Sequence, residues 1–203
     1  MAVAIRLFGE LMDEQLDVLD RVVRALERAR ADWALVGGHA VSAHVRPRLT
    51  VDVDFLVEGR RREAVERALG DTGYTLRHDV DAVRVLRGPD DAEPVADLLF
   101  SDLHALWAEA LHSASEVTYQ GRTVRVVSRP ALVAMKYLAA VSPRRSVPER
   151  YQDVTDIALL VTRGWTPQEA AETERLARLG HAGAAGELAR LVDDLRAGRP
   201  VTI

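Results

Sequence analysis

The chain has 203 residues, enough for one compact domain, or a core with a modest helical extension, that needs no cross-links. Hydrophobic residues make up 48% and charged residues 29%, which excludes wholesale disorder, and the absence of cysteine excludes both a disulfide framework and a thiolate zinc site. The net charge of −4 does not mark the whole chain as a nucleic-acid binder, although Arg60, Arg61 and Arg62 adjoin and Arg144, Arg145 and Arg150 cluster, where each group can meet phosphates or simply face solvent.

No stretch reaches the roughly 20 apolar residues that cross a bilayer, and residues 1–10 lack the plan of a signal peptide. The expected location is the cytoplasm, with no membrane partner. Apolar residues at helical spacing predict an amphipathic helix over residues 10–30. A short apolar strand at 34–36 ends at Gly37 and Gly38, and a short helix over 39–44 follows, limited by Pro47. Residues 51–57 form a β-branched run that contains Asp52 and Asp54. A helix over 61–69, strands at 74–78 and 82–86, a polar turn at 88–93 and a strand at 95–100 come next. A helix over 102–112 leads to two strands, 117–119 and 123–127, joined by a Gln120-Gly121 hairpin turn. Helices are then predicted over 130–141, 148–162, 166–179 and 187–196; Thr166, Pro167 and Glu169 give the third a capping-box start.

This order predicts an α/β (α+β) fold: a mixed sheet flanked by helices over residues 1–128, followed by a C-terminal helical part over 129–203 packed on it. Neither an internal repeat nor a low-complexity tract interrupts it.

Three features carry chemistry. Gly37-Gly38 between a strand and a helix lets backbone amides approach a phosphate closely, or serves only as a strand-to-helix turn. Asp52 and Asp54, two apart on a strand, share one face about 6.6 Å apart and repel by roughly 2.5 kcal/mol at an effective dielectric near 20. A divalent cation offsets that repulsion directly; a solvated face, or pairing with Arg46 and Arg48, is the alternative. Asp97 is the third feature, a carboxylate in an apolar strand that needs a partner, either an arginine or the same cation. Lys136 is the only lysine among 27 basic residues, which suggests a position that requires a compact ammonium.

Gly37-Gly38, thirteen residues, Asp52-Val53-Asp54 and then Asp97 on a later strand resemble the signature of the polymerase-beta-like nucleotidyltransferase superfamily. The segment 130–136 ending in Lys136, followed by Arg150-Tyr151-Gln152-Asp153-Val154-Thr155-Asp156, is similar to the AbiEii-type toxin nucleotidyltransferases, and the resemblance covers roughly residues 33–160. It implies a metal-dependent nucleotidyltransferase that moves a nucleoside monophosphate from a nucleoside triphosphate such as ATP to an acceptor. Asp52, Asp54 and Asp97 become metal ligands and catalytic acids for Mg²⁺ or Mn²⁺. Gly37, Gly38, His39, Arg48, Lys136 and Asp153 become the nucleotide-binding set. The implied acceptor is RNA, tRNA in particular, or a protein, with a cognate antitoxin as partner; a small aminoglycoside antibiotic is the rival. His39 stands where many relatives carry Ser or Thr, Gln152 where Lys is frequent, and Ala131 where Glu is frequent. These departures keep a third reading open, a catalytically inactive domain of the same fold that binds a protein.

Overall fold

A computed structural model describes residues 2–45, 50, 52–79, 82–91 and 94–201, of which 2–12 are described by backbone alone. Eight α-helices and seven strands occur among the described residues. In chain order they are α1 (Ala2–Arg28), β1 (Trp33–Leu35), α2 (Gly37–His44), β2 (Val53–Val57), α3 (Arg62–Gly70), β3 (Thr75–His78), β4 (Val83–Leu86), β5 (Ala96–Phe100), α4 (Ala105–His112), β6 (Ser115–Tyr119), β7 (Arg122–Val126), α5 (Arg129–Ala140), α6 (Val147–Thr162), α7 (Pro167–Ala177) and α8 (Ala184–Arg196). The strands make one mixed sheet, ordered β3-β4-β5-β2-β1-β7-β6. Helices flank it, and the expected fold class is the observed one.

Most boundaries follow local chemistry. Leu16, Leu19, Val22 and Leu26 recur at helical spacing and are buried, and α1 packs by this stripe against α3 and β2. The Gln120-Gly121 turn has positive φ at both residues, 49° and 75°, which is what a two-residue hairpin of this hand requires. At α7 the Thr166 hydroxyl accepts from the Glu169 amide at 3.2 Å while the Glu169 carboxylate accepts from the Thr166 amide at 2.9 Å, the predicted capping box.

Three boundaries differ from the sequence expectation in ways that bear on the site. The helix expected over 39–44 begins earlier, with both glycines in its first turn, because Gly37 adopts φ +56° and lets the chain turn directly out of β1. Asp52 lies in a bend immediately before β2 rather than on the strand, and Val51 is outside the described residues. The helix expected over 102–112 starts at Ala105, after a 3-10 turn over Ser101–Leu103.

One hydrophobic cluster runs from Leu16 to Val192 and includes residues of the sheet and of the C-terminal helices. α5 contacts α6 and α7, and also α2 and α4. Arg129, at the start of α5, ties this layer together. Its guanidinium donates to the Arg163 carbonyl at 2.9 Å, to the Gly164 carbonyl at 2.8 Å and to Glu169 at 2.8 Å, and lies over the Trp165 ring at 5.3 Å. It thereby satisfies carbonyls at the end of α6 that have no partner within the helix. Arg129→Ala is expected to cost about 2–4 kcal/mol and to lower Tm by about 5–10 °C, measured by thermal unfolding, with α-helix content at low temperature unchanged.

Candidate active site

The antiparallel register of β1 and β2, with Leu35 opposite Phe55 and the Val36 amide donating to the Asp54 carbonyl at 3.0 Å, brings the turn after β1 against the start of β2. Parallel pairing of β2 with β5 then sets Asp54 directly opposite Asp97. Residues in register on neighbouring strands project to the same face. Asp52 joins them from the bend, and one carboxylate oxygen from each of the three lies within 4.8 Å of the others. The structure thus converges the three acids named from the sequence.

Gly37 and Gly38 seat one of these acids. A Cβ on Gly37 would stand 1.7 Å from Asp54 Oδ2, so only glycine leaves room for the carboxylate, and its φ of +56° adds a second reason. The Gly38 amide hydrogen-bonds the Asp54 carboxylate at the N-terminus of α2. Burial first, then the charge of Asp52, pushes Asp54 up to about 7, with Asp97 adding and Lys136 and the Gly38 amide opposing. Asp97 is also raised: burial and the charges of Asp52 and Asp79 act against Arg84 and Arg145. Asp97 Oδ1 is buried with no hydrogen-bond partner among the described residues.

These observations fit a divalent cation. Three carboxylates within reach of one point, one with a buried oxygen that lacks a donor, form an all-oxygen donor set suited to Mg²⁺ or Mn²⁺. The ion would relieve the crowding that raises Asp54.

Behind the acids stands a second charged cluster. Lys136 on α5 is 9% exposed, and its ammonium donates to Asp153 Oδ1 at 2.7 Å and pairs with Asp156 Oδ2 at 2.9 Å, both on α6. Burial by itself would lower the Lys136 pKa, but the charges and hydrogen bonds of Asp153 and Asp156 outweigh it and raise it. The i,i+3 spacing of the two aspartates places both on the α6 face toward α5. Arg145 Nε lies 3.3 Å from Asp153 Oδ2, and Gln152 donates to Asp156 at 3.1 Å. Arg150 instead donates to the Arg145 and Ser142 carbonyls at 3.1 and 3.0 Å.

The remaining residues of the expected nucleotide set are placed as follows. His39 is fully buried, with Nδ1 3.0 Å from the Tyr119 hydroxyl and its ring edge-on to that tyrosine. Arg48 lies outside the described residues. Arg84 was not singled out by the sequence pattern; it stands opposite Asp97 on β4, and only the strand order reveals this. Arg145 is visible in the sequence as a member of a basic cluster, but not as a partner of Asp153.

Residues 18–197 match the family described as nucleotidyl transferase AbiEii toxin, type IV toxin–antitoxin system. The chain belongs to that family. Several solved structures share its fold at low identity. The solution structure of the antibiotic-resistance factor ANT(2'')-Ia is 18% identical, with TM-score 0.54, covering 92% of this chain and 91% of that one. An antigenic nucleotidyltransferase-like protein from Paracoccidioides brasiliensis is 16% identical, with TM-score 0.51 and coverage of 89% and 93%. The lincosamide antibiotic adenylyltransferase LnuA, bound to lincomycin, is 14% identical, with TM-score 0.50 and coverage of 75% and 97%. No curated protein sequence matches the chain. Family and fold together support nucleotidyl transfer by an enzyme. No helix among the described residues is long and apolar enough to cross a membrane.

Two outcomes follow from this geometry. Gly37→Ala is expected to displace Asp54, to cost about 1–3 kcal/mol through backbone strain and to abolish Mg²⁺ binding, read by calorimetric titration. The raised Asp54 pKa means that the metal-free protein loses stability as pH climbs from the ordinary 3.8 through about 7, because the unfolded chain gives up this proton more easily than the folded one. Asp54→Asn cannot ionise, so metal-free protein carrying it should melt higher than the parent above that window, by on the order of 5–10 °C, and the two should converge in acid.

Proposed function

We propose that this protein is a Mg²⁺-dependent nucleotidyltransferase that moves a nucleoside monophosphate from a nucleoside triphosphate, ATP among them, to an acceptor hydroxyl. The observation that carries the reading is the convergence of Asp52, Asp54 and Asp97 beside the Gly37-Gly38 turn, in a chain of the AbiEii family. Asp52, Asp54 and Asp97 would hold the cation, Mg²⁺ or Mn²⁺, which when bound neutralises phosphate charge and favours displacement at phosphorus.

This chain's own groups supply the rest. The acceptor oxygen attacks the α-phosphorus in line, a new P–O bond forms, and the bond to pyrophosphate breaks. Asp97, in register with Asp54 and with one oxygen that lacks a donor among the described residues, is positioned to accept the proton that the acceptor hydroxyl loses. The first turn of α2, at the positive end of that helix, draws the triphosphate toward Gly37. Lys136 contributes its charge from behind Asp54 while Asp153 and Asp156 hold it in place, so we assign Asp153 to support of the site rather than to direct contact. His39 braces α2 against Tyr119. Catalysis of this kind rests on positioning and charge neutralisation.

RNA is the acceptor we favour over a protein, because the cations whose charge reaches Asp97 are Arg84 and Arg145. Membership of a toxin family supports a cognate antitoxin as partner, and a reaction that consumes a nucleoside triphosphate suits a protein of the cytoplasm.

Thermal unfolding with each of the four nucleoside triphosphates, with and without Mg²⁺, tests the reading. A ligand at about 100 times its Kd adds roughly 2.7 kcal/mol, or about 5–10 °C for a chain of this size. The shift should need Mg²⁺ and vanish in Asp52→Asn. No shift with any triphosphate at millimolar concentration would refute the proposal.

A further inference from the structure

The strand registers align four charged residues in one row across the sheet. Arg77 on β3 pairs with Arg84 on β4, Arg84 pairs with Asp97 on β5, and Asp97 pairs with Asp54 on β2. Residues directly opposite one another share a face, so the row projects from the side of the sheet that carries the acid cluster. At about 4.8 Å between strands, Arg77 stands about 10 Å from Asp97 along the row. The other face of these strands is apolar, with Val83, Val85, Ala96, Leu98, Val53 and Phe55 buried. Two arginines therefore extend the row from Asp97 to the open edge of the sheet, since β3 is its terminal strand.

Among the described residues Arg84 pairs with Asp79. Its ion pair with Asp79 spans 3.4 Å, with side chains 35% and 53% exposed, and water screens such a pair strongly. Arg77 is exposed. The charge of Arg84 reaches Asp97, whose pKa it lowers against burial. On the opposite side of the acids lie the Gly37-Gly38 turn and Lys136, the groups assigned above to the nucleotide. The two sides of the acid cluster thus differ in what they offer a ligand.

We propose that Arg77 and Arg84 form an anion-binding row on the acceptor side of the acids and select an acceptor that carries phosphate beside its reactive hydroxyl. The inference rests on the nucleotidyltransferase reading and adds to it the residues that sort acceptors by charge. A guanidinium donates two parallel hydrogen bonds to a phosphate, and Asp97 lies one strand away to meet the neighbouring hydroxyl. The two guanidiniums also oppose a cationic acceptor on this side of the acids, which disfavours an aminoglycoside there.

The test uses the full chain and a fluorescein-labelled, mixed-sequence, single-stranded oligoribonucleotide, with anisotropy read without nucleotide between about 50 and 200 mM salt. Arg77→Ala and Arg84→Ala should each weaken binding roughly 2–5-fold and reduce the slope of log K against log salt by about 0.7. Arg84→Lys should retain the slope, and Arg77→Glu should weaken binding further than Arg77→Ala. Both alanine variants should keep the Mg²⁺-dependent nucleotide shift in Tm. Unchanged affinity and slope in both would overturn the proposal, as would wild-type protein that binds kanamycin but not the oligonucleotide. Loss of the nucleotide shift in Arg77→Ala or Arg84→Ala would also overturn it, because the arginines would then serve the acids rather than the acceptor. Absence of that shift in the wild type would instead count against the nucleotidyltransferase reading, and the two failures are separate.

Discussion

Three carboxylates held within hydrogen-bonding reach of one point, in a half-buried setting, are the constraint on which the rest of this structure depends. Like charges so close cost several kcal/mol unless something compensates. The fold meets part of that cost with fixed groups: the Gly38 amide at the N-terminus of α2 and the buried Lys136 ammonium. It leaves the remainder unmet, as the raised Asp54 and the unpartnered Asp97 oxygen record. A site that is electrostatically incomplete by itself is one that gains from a cation.

The C-terminal helices belong to this electrostatic arrangement as well as to the packing. α5 carries Lys136 and α6 carries Asp153 and Asp156, so the pairing of these two helices fixes the ammonium near Asp54. A lone buried ammonium would tend to give up its proton; flanked by two carboxylates it remains charged. The network also explains why an arginine would not serve in place of the chain's single lysine. Both partners reach one compact nitrogen, whereas a planar fork spreads its donors. Arg145 then links the same cluster to solvent through Glu149 at 3.1 Å.

Membership of the AbiEii family and a fold shared with an antibiotic-resistance factor and a lincosamide antibiotic adenylyltransferase do not fix the acceptor, because function resides in the site rather than in the fold. In this chain the strand beside Asp97 presents arginine. That choice bears on the acceptor and leaves the fold unaffected, since Arg84 lies on the half-exposed face of its strand while Val83 and Val85 fill the core.

The amino-acid sequence by itself determined the element types, the hairpin turn at Gln120-Gly121, the capping box at Thr166 and the identity of the three acids. Each of these depends on local spacing, backbone freedom or an incongruous charge in an apolar run, and such signals lie within a few residues of one another. Only the tertiary structure decided what the glycine pair does, since the room that Gly37 leaves for Asp54 exists only once β1 and β2 pair in register. It also decided that Lys136 answers to Asp153 and Asp156, that His39 turns inward to Tyr119, and that Arg84 faces Asp97. Those partners are 17 and 20, 80 and 13 residues apart in the chain, and no local rule encodes which distant carboxylate or strand a side chain will meet. Strand order and register make that assignment, and they follow from burying every apolar face of the chain at once.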